Sequence, residues 1–240
     1  MPFTFAHPAA VLWCAQWHRS GLPFAAFVIG SMIPDFEYFL RLRMLSFYSH
    51  TAPGIFTFCV PVGLLVYGIY QTSIAPALYR NIPHYARDRI SEPPQVGGNR
   101  LRHLVRVSVA IAFGAATHVL WDAFTHGNGP FVLRWPGLGT EMLGFPLYKF
   151  LQHGSTLVGF GIVALWFHLR PVQPARCGEA RDQWYWPAAA AAFGVAFISL
   201  QQIRPGLGLA NLAIQSIDGL FIALLVARCC SQLKNRIARN

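Results

Sequence analysis

Five apolar runs, each at or near the length needed to cross a bilayer, constrain what this chain can fold into more than any other feature. They lie near residues 52–72, 104–122, 153–169, 184–202 and 207–227. A helix of about 20 apolar residues spans a hydrocarbon core of about 30 Å. Inside that core, apart from a closed barrel, only a helix satisfies its own backbone hydrogen bonds. The sequence therefore predicts an all-α, multi-pass transmembrane helical bundle with five full spans. Ahead of them, residues 8–18 and 22–33 are apolar but too short to cross at about 1.5 Å per residue. They are expected to form a short helical hairpin, re-entrant or packed at the interface. His18, Arg19, Ser20 and Gly21 supply its turn. Pro34 ends its second helix, because proline disfavours helical geometry in the residue before it and itself suits a helix start. The pattern of a cleaved secretory signal is not visible, so the hairpin is expected to stay with the protein.

Composition fits this solvent. Hydrophobic residues make up 54% of the 240 and charged ones only 12%, and the mean hydropathy is +0.40, far from a soluble domain. A chain of this length fits a single integral membrane domain over 1–240. The net charge of +10 does not imply nucleic acid, because Lys and Arg sit in the gaps between apolar runs and not along a basic helix. Membrane lipids are the expected partners; oligomeric state is not encoded in any pattern here. With five spans the gaps alternate sides. One side collects Arg19, Arg41, Arg43, Arg134, Lys149 and Arg204, and the other collects twelve cations from Arg80 to Arg102, Arg170 to Arg181 and Arg228 to Arg239. The positive-inside rule then predicts an N-terminus outside and a C-terminus in the cytoplasm. The five cysteines (Cys14, Cys59, Cys177, Cys229 and Cys230) show no C-x-x-C spacing, so neither a disulfide framework nor a cysteine zinc site is expected.

The polar residues that interrupt the apolar runs gather at one end. His118, Asp122 and His126 recur every four residues at the exit of the second span, and residues four apart share a helix face. Ionisable side chains in membrane segments mark functional sites by default. His50 lies just before the first span and His153 at the start of the third, while His7 and Asp35 fall at the open end of the N-terminal hairpin. These positions all belong to the predicted outer side. Imidazoles and carboxylates without cysteine suit a divalent metal ion such as zinc, iron or manganese. Read singly, His18, His84, His103 and His168 are ordinary interfacial or hydrogen-bonded histidines. Glu37, two residues from Asp35, faces away from it on a helix and reads as a surface or supporting group.

Five ordered motifs carry a resemblance. They are Met1-Pro-Phe-Thr-Phe-Ala-His7-Pro, Gly30-Ser-Met-Ile-Pro34-Asp35-Phe-Glu-Tyr38, Ser49-His50-Thr51-Ala-Pro53-Gly54, Thr117-His118-x3-Asp122-x2-Thr125-His126, and Tyr148-Lys-Phe-Leu-Gln152-His153-Gly154-Ser155-Thr156. Over about residues 1–165 the chain resembles a bacterial family of integral membrane proteins defined as a domain of unknown function, with residues 184–227 as a two-span extension. More distantly it is similar to membrane-bound metal-dependent hydrolases and to the zinc-dependent phospholipase C group. Those proteins carry Thr-His-Ser where this chain has Ser49-His50-Thr51. The resemblance implies a metal-dependent hydrolase with His7, Asp35, His50, His118 and Asp122 as metal ligands. His126 and His153 are then ligands, orienting residues or proton-transfer groups. A site opening at the outer face implies a lipid or lipid-linked substrate, and the Gly/Pro-rich segment 127–150 reads either as a lid or as a plain interfacial connector.

A second polar stripe leaves another class open. Asn211, Gln215 and Asp218 share a face of the last span. A proton-coupled transporter would use such a stripe, and a non-catalytic structural bundle would use it to join helices.

Overall fold

A computed structural model of the chain describes residues 3–90, 99–172, 181–206 and 208–237, with the side chains of 18–20, 235 and 237 left aside. Arg176, Cys177 and Arg239, and the side chains of His18 and Arg19, lie outside what is described. The protein is an all-α, multi-pass membrane bundle. Five helical stretches are long and apolar enough to cross a membrane: Ala52–Asn81, Arg100–Arg134, Leu147–His168, Tyr185–Ile203 and Leu209–Lys234. They carry outward-facing Leu65, Val109, Leu157, Val195 and Ile198, each more than half exposed. A surface that apolar is untenable in water and ordinary against lipid.

We label the main helices α1 (Phe24–Met32), α2 (Phe36–Arg41), α3 (Ala52–Asn81), α4 (Arg100–Thr125), α5 (Leu147–His168), α6 (Tyr185–Ile203) and α7 (Leu209–Ile237). Several outrun the apolar runs because caps, not hydropathy, set their ends. The Asn99 side chain accepts from the Arg102 N–H at 3.1 Å and starts α4 four residues before its apolar stretch. Thr51 does the same for α3 through Gly54 at 3.0 Å. Two π turns, Ile55–Cys59 and Tyr70–Ile74, interrupt α3. Pro61 and Pro76 follow them closely, and each removes the donor that would have bonded four residues back. Between α4 and α5 the chain is ordered: a helical turn Pro130–Arg134, a 3₁₀ turn Pro136–Gly139 and a hairpin pairing Glu141–Met142 with Phe145–Pro146.

The chain divides into two compact units. The first joins residues 1–36, 46–67 and 97–170. Its N-terminal hairpin pairs a 3₁₀ helix, Thr4–Ser20, with α1. The turn falls at Gly21, where φ is +77° and a Cβ would strike the Arg106 guanidinium. The open end of the hairpin, at His7 and Asp35, meets His118 and Asp122. About 18 Å of α4 separates Arg106 from His118 at 1.5 Å per residue, so the hairpin lies lengthwise along α4. It does not rest across the end of the bundle. Ala6, Val11, Cys14, Phe27 and Ile33 are buried with Val107, Ala110, Ile111 and Ala115 of α4. Gly30 and Gly114 let α1 and α4 touch backbone to backbone: a Cβ on Gly30 would overlap Ile111, and one on Gly114 would overlap Phe27 and Ser31. Gly159 of α5 lies as closely on Ala6.

The second unit joins residues 37–45, 68–96 and 171–240. Tyr185, Ala189 and Ala227 pack with Ala77 as its apolar centre. Several of its polar groups close on the chain itself. Asn81 Oδ1 accepts from the Asp182 N–H at 3.0 Å, its Nδ2 donates to the Ala77 carbonyl at 2.9 Å, and Trp186 Nε1 donates to the Asn81 carbonyl at 2.9 Å. Gln215 is fully buried and donates to the Arg204 carbonyl at 2.8 Å, tying α7 to the end of α6. Glu37 is no surface group: it is 2% exposed and paired with Arg41 at 2.9 Å.

Candidate metal centre

Four chain segments of the first unit bring their polar residues to one point. His7 comes from the 3₁₀ helix, Asp35 from the short turn after α1, His50 from just ahead of α3, and His118 and Asp122 from α4. His7, Asp35 and His118 are fully buried, and Asp122 is 6% exposed. His118 Nε2 stands 3.4 Å from Asp35 Oδ1 and 3.3 Å from Asp122 Oδ2. His50 Nε2 stands 3.3 Å and 3.4 Å from the same two oxygens. The His7 ring stacks on His118 with centroids 3.6 Å apart, and its Nε2 lies 3.7 Å from Asp122 Oδ1. His126 caps α4 with Nδ1 3.6 Å from Asp122 Oδ1.

The far side of nearly every one of these groups is anchored. Thr4 Oγ1 donates to Asp35 Oδ2 at 2.6 Å, turning Oδ1 inward. His118 Nδ1 donates to the Ser31 carbonyl at 2.7 Å, which leaves Nε2 as a bare lone pair. The Gly30–Gly114 contact makes this bond possible by bringing Ser31 against α4. Ser49, fully buried, bonds His50 Nδ1 at 2.9 Å through its hydroxyl. His126 Nδ1 donates to the Asp122 carbonyl at 3.0 Å, again freeing Nε2.

The near sides are not satisfied. Among the described residues, His7 Nδ1 and Nε2, Asp35 Oδ1, His118 Nε2, both Asp122 carboxylate oxygens and His126 Nε2 are buried with no hydrogen-bond partner. Leaving a buried polar atom unpaired costs about 1–3 kcal/mol. Seven such atoms would together cost on the order of 10 kcal/mol, comparable with the whole net stability of an ordinary protein. Direct charged hydrogen bonds would close to about 2.7–2.9 Å, and these pairs stand wider. The His–Asp spacing of 3.3–3.4 Å is compatible with the edge between neighbouring ligands of a zinc ion, about 3.3–3.6 Å for bonds of about 2.0–2.2 Å. Two overlapping triads, His7–Asp35–His118 and His50–His118–Asp122, each have ligand atoms within 4.8 Å of one another and could hold a metal ion. The donor set fits a divalent cation.

Charge balance among the groups outside the spans points the same way. Burial, reinforced by the adjacent His118, pushes His7 down to about 3, so it is neutral and able to ligate at physiological pH. Burial alone would raise the Asp35 carboxyl, but His118 and His50 outweigh it and hold Asp35 well below the usual carboxylate range. Burial also opposes charge on His50, yet the Asp122 and Asp35 carboxylates prevail and raise it. Without a cation, protons on histidine must balance the two buried carboxylates.

His7, Asp35, His50, His118, Asp122 and His126 thus meet as the sequence predicts. His153 does not join them. Helix α5 begins at Leu147, so His153 sits well inside it and is exposed. The inward face of α5 belongs to Gln152, Thr156 and Gly159: Gln152 is buried, Thr156 Oγ1 accepts from the Phe3 N–H at 3.1 Å, and Gly159 abuts Ala6. One residue on from Gln152, His153 is turned about 100° away. The supporting groups Thr4, Ser31, Ser49 and Thr125 escape sequence reasoning because single hydroxyls and a backbone carbonyl carry no spacing signal. Trp121, whose ring edge faces His7 at 5.4 Å, reads in sequence as one more apolar residue.

Fold and site together define a multi-pass helical membrane protein with a buried His/Asp cluster near the C-terminal end of α4 in its first unit. The chain belongs to the family described as a domain of unknown function, DUF4184, whose match covers residues 1–229 and so takes in the last two spans as well as the motif region. No curated protein and no solved structure matches the chain.

Proposed function

We propose that this protein is a membrane-bound, metal-dependent hydrolase that acts on a lipid or lipid-linked substrate at the outer face of the bacterial inner membrane. The observation that carries the reading is the convergence of unpaired, buried His and Asp atoms at ligand-to-ligand spacing. In this reading His118 Nε2, with Asp35 Oδ1 in one triad and His50 Nε2 and Asp122 Oδ2 in the other, holds one or more divalent ions, zinc being one candidate. His7 and the second Asp122 oxygen lie within reach to complete or extend the set. When bound, such an ion acidifies water and stabilises negative charge developing on a phosphoryl or acyl centre. The residues supply the rest. Thr4, Ser31 and Ser49 hold the ligands in orientation and tautomer. His126, with Nε2 unpaired and its side chain 24% exposed, is placed to pass a proton between the site and the outside. The excess of Lys and Arg on the predicted inner loops supports an outer N-terminus and a cytoplasmic C-terminus. Metal analysis by mass spectrometry on chelator-free protein tests the reading. Near-stoichiometric metal in wild type, lost in folded His118→Ala and Asp122→Ala, is the expected result; metal-free wild type overturns it.

A second reading, a proton-coupled transporter, draws on α7. Asp218 Oδ2 and the Gln215 amide oxygen have no hydrogen-bond partner in the described structure. An ionisable group inside a span is a functional candidate in its own right. Proton flux into proteoliposomes that vanishes in Asp218→Asn, with metal content unchanged, would favour it.

A further inference from the structure

We infer that the open cleft beside the cluster seats one hydrocarbon chain of a phospholipid whose head group reaches the His/Asp site. The inference rests on the reading of that site as a reaction centre and names its substrate class. The cleft holds about 520 Å³ and is walled by Leu120, Trp121 and Phe124 of α4, Leu151 and Ser155 of α5, and Ala10 of the 3₁₀ helix. That volume falls in the usual range for a small-ligand site, about 300–1,000 Å³.

Its chemistry selects an apolar occupant. The three hydroxyl residues that border it are turned onto their own helices. Thr117 Oγ1 donates to the Gly114 carbonyl at 2.7 Å, Thr125 Oγ1 to the Trp121 carbonyl at 3.4 Å, and Ser155 Oγ to the Gln152 carbonyl at 3.2 Å. The cleft therefore offers carbon to whatever enters it. Both main walls belong to membrane-crossing segments, where the surrounding medium is lipid chain.

The cleft is also continuous with the site. Thr117, Trp121 and Thr125 form the stripe of α4 next to His118, Asp122 and His126, one residue behind at each step. Trp121 separates the cleft from His7, with ring centroids 5.4 Å apart, and Thr125 adjoins His126, Oγ1 to Nδ1 at 3.4 Å. The members of the cluster that reach the surface are His126 and His50, their side chains 24% and 19% exposed, while His7, Asp35 and His118 are sealed. A chain lying along Leu120 and Phe124 thus brings its polar end to the open side of the cluster. A phosphate there meets the ligand set proposed to hold a cation.

The test is native mass spectrometry of detergent-solubilised full-length protein with added palmitoyl-oleoyl phosphatidylglycerol, alongside metal analysis of the same samples. Wild type should retain one lipid per chain. Ser155→Trp and Ala10→Phe, which fill the cleft from two different elements, should weaken that retention at least about 10-fold while leaving metal content unchanged. Equal retention by wild type and both folded variants overturns the inference. So does a lipid-free wild-type dimer that the same substitutions dissociate, which would give the cleft to a second copy of the chain. Metal-free wild type with cleft-dependent lipid retention supports the chain seat and overturns the reaction-centre reading, so the two failures are separable.

Discussion

The two units arrange their buried polar groups differently. In the second, Asn81 spends both ends of its amide and its carbonyl on Asp182, Ala77 and Trp186, and Gln215 reaches the Arg204 carbonyl. These residues join helices to one another. In the first, Thr4, the Ser31 carbonyl and Ser49 hold the outer atoms of Asp35, His118 and His50, and among the described residues the inner atoms of Asp35 and His118 are left without hydrogen-bond partners. Buried polar groups in native proteins are nearly always paired. A convergent set that is held in orientation yet unpaired is what a ligand site looks like before its ligand is counted. Burial by itself does not distinguish the two units; the direction of the unpaired atoms does.

The comparison breaks most directly by substituting one residue on each side. His118→Ala or Asp122→Ala should abolish metal retention, a loss beyond about 100-fold, since each is a proposed ligand. Asn81→Ala should keep full metal content and show its effect only as a lower melting temperature, because it leaves buried partners unpaired at about 1–3 kcal/mol. Equal metal content in all three proteins would erase the distinction between the units.

Helix contact supplies the next largest effect. Gly114→Leu drives a side chain into Phe27 and Ser31, and overpacking of this kind costs on the order of 1–3 kcal/mol or more. The variant should melt lower and bind metal more weakly, because the Ser31 carbonyl is pushed off His118 Nδ1. Thermal melts with and without added zinc read both outcomes, and unchanged zinc binding in a destabilised variant would detach the site from the α1–α4 contact.

The pH dependence sharpens the comparison further. In the metal-free protein His50 lies above its ordinary value of 6.5, so its contribution to stability is fully present below about 6.5 and is lost as pH rises through the higher folded value. Asp35 is depressed, and its contribution is lost only in acid, below the ordinary carboxylate value of 3.8. A bound metal would replace the histidine proton. The gain in melting temperature on adding zinc should therefore grow from pH 6 to pH 8 in wild type and be flat in Asp122→Ala. A gain that shrinks with rising pH would show that the cluster holds protons and not metal.

The smallest expected effect belongs to the supporting hydroxyl. Thr4→Val frees Asp35 Oδ2 and should weaken zinc binding about 10-fold, the usual scale for an orienting group, with little change in the melting temperature of the metal-free form. Competition with a chelating dye measures it, and a wild-type affinity would make Thr4 a packing residue only.

Much of this was legible in sequence. The five apolar runs gave the spans, and the His118–Asp122–His126 spacing gave the polar face of α4, because helix periodicity ties sequence distance to direction. His7, Asp35 and His50 were found as polar residues at the predicted outer end of apolar segments. His153 shows where that inference stops. Its position near the start of a span was visible, but the phase of α5 was set by Gly159 against Ala6 and by Thr156 on Phe3, contacts more than a hundred residues apart in the chain. The hairpin shows the same limit: its length leaves it either re-entrant or packed at the interface, and the small residues Gly30 and Gly114 decide that it lies along α4.

Hydropathy and the 3.6-residue period are local properties, so the solvent, the long helices and the polar face of α4 can be read from residue order alone. Which atoms of the ionisable residues face one another was settled by packing. That required the backbone approach of α1 to α4, which places the Ser31 carbonyl on His118, and the reach of Thr4 to Asp35. Contacts between distant segments fix tautomer and rotamer, and no local spacing encodes them.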